Sequence, residues 1–174
     1  GLNRYNGKDV RVFQPSESNH GLTNNEINEL CGDKNGRMYI RSGNDLIKLD
    51  IYTEQFTCLR QKGVYGLFCK KDTLWVSCAD GIYYYTGQGT ELTFFARVQK
   101  GFVGRALYVD KETVWVVTRK YLVAISREDP LRQEILLTLD KGNCILGDSS
   151  GNIWVGAWNG LYRVSPDRET TAYV

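Results

Sequence analysis

An aromatic residue inside an apolar run recurs at Tyr39, Trp75, Trp115 and Trp154, at intervals of 36, 40 and 39 residues. No other feature of the chain limits its fold as much. Around Trp154 the run reads DSSGNIWVGAWNGLYRV over residues 148–164, and Ile153, Val155 and Ala157 alternate with Trp154, Gly156 and Trp158. A period of two is a strand, and the flanking Ser150-Gly151 and Asn159-Gly160 tolerate positive φ, so the unit reads as strands joined by tight turns. Both faces of this hairpin are apolar. It needs cover on two sides, and copies of itself are the nearest cover available. A helical repeat would space its apolar residues by three and four, and that spacing is missing. A period of about 40 residues with four short strands per unit therefore predicts an all-β fold of radially stacked, antiparallel blades, a β-propeller.

Further marks keep the same phase. Asp33, Asp110 and Asp148 stand five or six residues before the aromatic, and Leu30, Leu107 and Ile145 stand three residues before those acids. The second repeat has Lys70 and Leu67 at these places. The aspartates are expected to close turns by accepting hydrogen bonds from backbone amides two residues on. Strands are predicted over residues 27–31, 37–42, 46–51 and 55–60 in the first repeat, and over 64–69, 74–78, 82–85 and 91–98 in the second. The third is predicted over 105–109, 114–118, 122–126 and 133–139, and the fourth over 143–147, 153–158, 161–164 and 170–174. Residues 24–30 are the one helix-like stretch, but their equivalents in every repeat are strands.

The reading is thus a single partial propeller over residues 1–174, with blades at 21–62, 63–100, 101–140 and 141–174. Residues 1–20 are two leftover outer strands of a preceding blade: GLNRYNGKDVRVF matches later repeat halves such as GIYYYTGQGTELTFF from Gly81. Gly1 is therefore expected to enter in mid-repeat, as in a piece cut from a longer propeller. An open arc leaves a blade face uncovered, so contact with other blades of a parent protein, or self-association through the open faces, is expected.

Composition agrees with strands. The 174 residues suffice for one substantial core, and 18 Gly with 3 Pro and 12% aromatics placed at strand positions speak against disorder. With 22 Lys and Arg against 20 Asp and Glu, the net charge of +2 offers no global attraction to nucleic acid or an anionic membrane. The pairs Lys70-Lys71 and Arg119-Lys120 read as solvated turn residues. No apolar run reaches the roughly 18 residues of a membrane span, and no basic and then apolar leader opens the chain. Cys31, Cys58, Cys69, Cys78 and Cys144 form no CxxC pair and there is one histidine, which argues against a metal site. Most of these cysteines fall in apolar strand patterns as small hydrophobes, with one intrachain bridge left open. No cofactor is implied.

GLTNNEINELCGDKNGRMYI followed by GNDLIKLD resembles the repeat of the two-component regulator propellers: GLSNN, an apolar strand, D-x-x-G-x-L-W-I-G-T, then x-x-G-L and a strand ending in D. Gly21 to Asn25, Asp33, Gly36, Leu46 and Asp50 carry the match in the first repeat. Asp148, Gly151, Ile153, Trp154, Val155, Gly156, Asn159, Gly160 and Leu161 carry it in the fourth. The first repeat departs at Met38-Tyr39 and Arg41-Ser42, where Leu-Trp and Gly-Thr are usual, and the third at Arg119-Lys120-Tyr121, where a turn glycine is expected. The resemblance implies a place in the periplasmic sensor region of an inner-membrane hybrid histidine kinase of Bacteroidetes, which detects glycan breakdown products. Kinase, receiver and DNA-binding parts are absent from these residues, so no phosphotransfer chemistry is expected in them.

Propeller geometry indicates where a ligand would bind. The loop leading into each innermost strand and the turn between the second and third strands lie on one face. Those segments hold Asn24, Asn25, Asn44, Asp45, Tyr65, Asp80, Arg105, Arg119, Asn143, Trp158 and Asn159. Asn and Asp can bond sugar hydroxyls, and Tyr and Trp can stack on a sugar ring, a composition suited to an oligosaccharide, the ligand that the resemblance implies. Asn-Gly and Asp-Gly are also plain turn formers. Two other classes fit the fold: an interaction scaffold without a small ligand, and a propeller lyase. The lone His20, in a loop, is a poor basis for general acid-base catalysis, so no catalytic residue is assigned.

Overall fold

The computed structural model describes residues 1–15 and 21–173. A hairpin of β1 (Leu2–Tyr5) and β2 (Val10–Phe13) precedes four antiparallel sheets of four strands each. The first sheet is β3 (Ile27–Gly32), β4 (Arg37–Ser42), β5 (Asp45–Asp50) and β6 (Phe56–Arg60). The second is β7 (Val64–Lys70), β8 (Thr73–Cys78), β9 (Gly81–Tyr85) and β10 (Thr93–Ala96), followed by a 3₁₀ turn at Gln99–Gly101 that the sequence pattern does not announce. The third is β11 (Gly104–Val109), β12 (Thr113–Thr118), β13 (Tyr121–Ser126) and β14 (Gln133–Thr138). The fourth is β15 (Cys144–Gly147), β16 (Ile153–Ala157), β17 (Gly160–Val164) and β18 (Thr170–Tyr173). Strands run in chain order across every sheet, and β3, β7, β11 and β15 contact one another in sequence, as innermost strands around an axis must. This is the predicted propeller arc. His20 lies outside the described residues.

Each core lies between two sheets. Leu2 and Phe13 of the hairpin pack with Ile40, Ile47 and Leu49 of the first sheet, and Phe13 meets Phe56 edge to face. Tyr39 and Leu46 pack with Val64, Leu67, Leu74 and Val76. Trp75 and Ile82 pack with Val109, Val114 and Val116, and Trp115, Val117 and Leu122 with Ile153, Val155 and Val164. All six residues of β12 are buried, because sheets cover both its faces. On β16, by contrast, Ile153 and Val155 are buried while Trp154 and Gly156 are only half so. The far face of the fourth sheet leaves Leu146, Leu161 and Tyr173 exposed.

The repeated aspartate does more than close its turn. Asp110 Oδ1 accepts hydrogen bonds from the backbone N–H of Glu112 and Thr113, both at 2.8 Å, while Oδ2 accepts from Trp115 Nε1 at 2.5 Å. Asp148 repeats this with Ser150 and Asn152 N–H and with Trp154 Nε1, each at 2.9 Å. In the first blade Tyr39 Oη donates to Asp33 Oδ2 at 3.2 Å and Arg37 Nε adds a bond at 2.6 Å. One carboxylate thus fixes both a turn and the aromatic of the second strand, which in the first and third blades fills the core toward the next blade. Where Lys70 stands instead, its Nζ donates to the Val109 carbonyl of the next blade at 2.7 Å, and Trp75 is held by Tyr84, Phe95 and the guanidinium of Arg127.

The missing glycine of the third blade has a local replacement. Thr118 Oγ1 accepts from Lys120 and Tyr121 N–H and donates to the Tyr121 carbonyl, so the turn closes without positive φ. At the corresponding turn of the first blade Gly43 has φ of 60°.

Asp110→Ala removes a buried indole's acceptor together with two turn bonds and is expected to cost about 2 kcal/mol in urea denaturation. The bonds from Trp154 and Asn152 hold the Asp148 carboxyl down at about 2, below its ordinary 3.8. A depressed carboxyl stabilises the fold above its unfolded value and loses that contribution as pH falls through the folded one. The stability gap between the protein and Asp148→Asn should therefore be full at about pH 6 and shrink between about pH 4 and pH 2.

Candidate functional site

The turns and the loops leading to the inner strands are stitched into one face by backbone bonds. Gly43 N–H donates to Glu26 O at 2.7 Å, Val64 N–H to Asn44 O at 3.0 Å, Ala79 N–H to Gly63 O at 2.8 Å, Gly142 N–H to Arg119 O at 3.0 Å and Trp158 N–H to Asp140 O at 2.9 Å. Side chains on this face are therefore carried by a fixed frame.

Three cavities meet there. One of about 700 Å³ runs along the inner strands and is bordered by Glu29, Arg41, Asn44, Tyr65, Arg105 and Asn143. A second, about 330 Å³, holds Tyr65, Phe102, Arg105, Arg119 and Lys120. The third, about 360 Å³, holds Arg105, Arg119, Lys141, Asn143 and Trp158. Arg105 borders all three. A larger hollow of about 920 Å³ lies along residues 54–61 on the outer strand β6. Its wall is one continuous segment, so it brings no polar groups together from different blades, and the face around Arg105 is the better site.

Of the residues expected from the sequence, Asn44, Tyr65, Arg105, Arg119, Asn143 and Trp158 come together here. Among the described residues, no side-chain hydrogen bond holds Tyr65, Arg105, Arg119, Asn143 or Trp158. Trp158 is 77% exposed, with Lys141 Nζ 4.7 Å from its ring centroid. The other expected residues serve the frame. Asn24 Oδ1 accepts from Glu26 N–H at 2.7 Å, Asp45 Oδ1 from Lys62 N–H at 2.6 Å, and Asn159 Oδ1 from Asp140 N–H at 3.3 Å. Asp80 accepts from Arg60 at 2.7 Å and Tyr83 Oη at 2.8 Å, tying the first two blades. Its partial burial works upward on the carboxyl, but these bonds outweigh it and the pKa is lowered. Asn25 is exposed beside Gly1.

Glu29, Arg41, Phe102, Lys120 and Lys141 belong to the face and were not legible as site residues. Lys120 shares a turn with Arg119 and could have been included on that ground. Lys141 meets Trp158 across a turn of the fourth blade, and the Phe102 ring lies tilted against that of Tyr121 with centroids 4.9 Å apart, contacts without a local signal. On the wall of the cavity along the inner strands, the channel of the arc, Glu29 accepts from Leu67 N–H at 3.0 Å and stands 3.5 Å from Arg41 Nε. Burial is the main influence on Glu29 and raises its pKa against both partners. The neighbouring Cys69 sulfur, then burial, push the Cys31 thiol up. The described residues hold no cluster of three metal-ligating side chains, and no helix among them is long and apolar enough to cross a membrane.

No known family profile and no characterised protein matches the sequence. Solved structures match in fold. The extracellular domain of BT3049 from B. thetaiotaomicron, described as a hybrid two component system, aligns over 98% of this chain and 27% of its own at a TM-score of 0.81 and 20% identity. That of BT4673 from the same organism aligns over 99% of this chain and 25% of its own, with a TM-score of 0.74 and 19% identity. A streptogramin B lyase covers 95% of this chain and 58% of its own at 0.71 and 16%. The chain thus spans about a quarter of the length of these two extracellular domains. The likeness places the described arc within the propeller fold.

Trp158→Ala should leave the denaturation midpoint within the equivalent of about 0.5 kcal/mol, since the ring fills no core. A larger loss would make Trp158 part of the frame.

Proposed function

We propose that this chain, as one partial propeller over residues 1–174, belongs to the periplasmic sensor region of an inner-membrane hybrid two-component histidine kinase. The face around Arg105 binds an oligosaccharide released from a glycan. One observation carries this reading: Tyr65, Arg105, Arg119, Asn143 and Trp158, drawn from three blades, converge on joined cavities with side chains that the fold does not use. An exposed indole offers a flat apolar surface for a sugar ring, and the amide and guanidinium groups around it supply directed bonds to hydroxyls. The resemblance of the repeat and the fold shared with extracellular domains of hybrid two component systems support the sensor assignment. In this reading the exposed face of Leu146, Leu161 and Tyr173 meets a further blade, and phosphotransfer belongs to other parts of the receptor.

Calorimetric titration of an oligosaccharide panel into the complete sensor region tests the proposal. Binding should weaken about tenfold or more in Trp158→Ala and in Arg105→Ala, each removing one directed contact worth roughly 1.4 kcal/mol. Equal affinity in both variants would move the site elsewhere. Failure of every sugar, with capture of a protein partner on the same face, would favour the scaffold reading.

A further inference from the structure

We propose that Cys31 and Cys69 form a disulfide that joins the first two blades along the channel wall. Cys31 lies on β3 opposite Tyr39, whose ring fills the core toward the second blade. Cys69 lies on β7 opposite Leu74, which fills the same core from the other side. The two sulfurs approach to 2.9 Å. A disulfide bond is about 2.05 Å long, so closure takes roughly 1 Å of movement. Both residues are half-buried and both border the channel cavity, which gives a small oxidant access. Among the described residues, no sulfur lies in bonding reach of Cys58, Cys78 or Cys144.

The corresponding places at the other interfaces are filled differently. Phe68, opposite Trp75, packs in the core that contains Val109, and Tyr108, opposite Trp115, lies so close over Gly147 that a β-carbon there would collide with its ring. Among the described residues, only the interface of the first two blades has a cysteine at both of these places. Closure is a two-electron oxidation, and a small disulfide such as oxidised glutathione is the oxidant. One cysteine thiolate attacks its S–S bond and expels a thiolate. The second cysteine then attacks the protein-side sulfur of the mixed disulfide and expels the other, and the two cysteine protons end on the two released thiols. The bond closes a loop of 38 residues and fixes the first two blades in register. An oxidising compartment follows from the proposed location, but bond formation is independent of ligand binding and is tested separately.

Every cysteine sits in its own tryptic peptide, with Cys31 in 12–34 and Cys69 in 63–70. The protein is incubated with oxidised glutathione, denatured in iodoacetamide, digested with trypsin and mapped without reduction. Peptides 12–34 and 63–70 should be recovered joined, with Cys58, Cys78 and Cys144 alkylated. Recovery of both peptides singly alkylated, or joined to other cysteines, overturns the proposal. Reduction should lower the apparent Tm of the oxidised protein by on the order of 10 °C. The same treatment should leave a Cys31→Ser, Cys69→Ser variant unchanged, and an equal fall in both would also overturn it.

Discussion

A sheet with two apolar faces cannot remain single, and everything else in this molecule follows from how that demand is met. Each second strand carries large side chains alternately toward the blade before and the blade after. β8 and β12, with neighbours on both sides, are therefore buried along nearly their whole lengths. Burying one Val, Leu or Ile side chain is worth about 1.5–3 kcal/mol, so the interfaces between sheets, rather than the hydrogen bonds within them, hold the arc together. The fourth sheet lacks a neighbour on its far side and shows Leu146, Leu161 and Tyr173 to solvent.

Packing alone would not fix the register of one blade on the next. The aspartate at the end of the inner strand does so by bonding the turn with one oxygen and the aromatic of the second strand with the other. In the first and third blades the side chain that enters the next core is thereby oriented from the turn behind it. The second blade shows what the device can be exchanged for: a lysine that reaches forward to the next inner strand, and an indole caged by other rings. The repeat tolerates the exchange because the apolar cores on either side persist.

That frame also sorts the polar residues of the loop face. Asn24, Asp45, Asp80 and Asn159 are consumed by turns and by ties between blades. Tyr65, Arg105, Arg119, Asn143 and Trp158 remain for a partner, which is why a polar residue at a turn is a poor guide to function until its own bonds are known. The sequence pattern treats Asn44 and Asn24 alike, and only the structure separates them.

The chain by itself determined the strands, their order and the propeller arc, because alternation of side chains and a period near 40 residues are local properties repeated four times. Even the departure at Arg119-Lys120-Tyr121 was visible, although not the Thr118 hydroxyl that makes it harmless. Tertiary structure alone decided which residues share a cavity, that the Lys141 ammonium stands near the Trp158 ring, and that Cys31 faces Cys69. These contacts join different strands, and in the two-cysteine case different blades. Distances across them depend on how the sheets stack and twist, which no local pattern in the chain encodes.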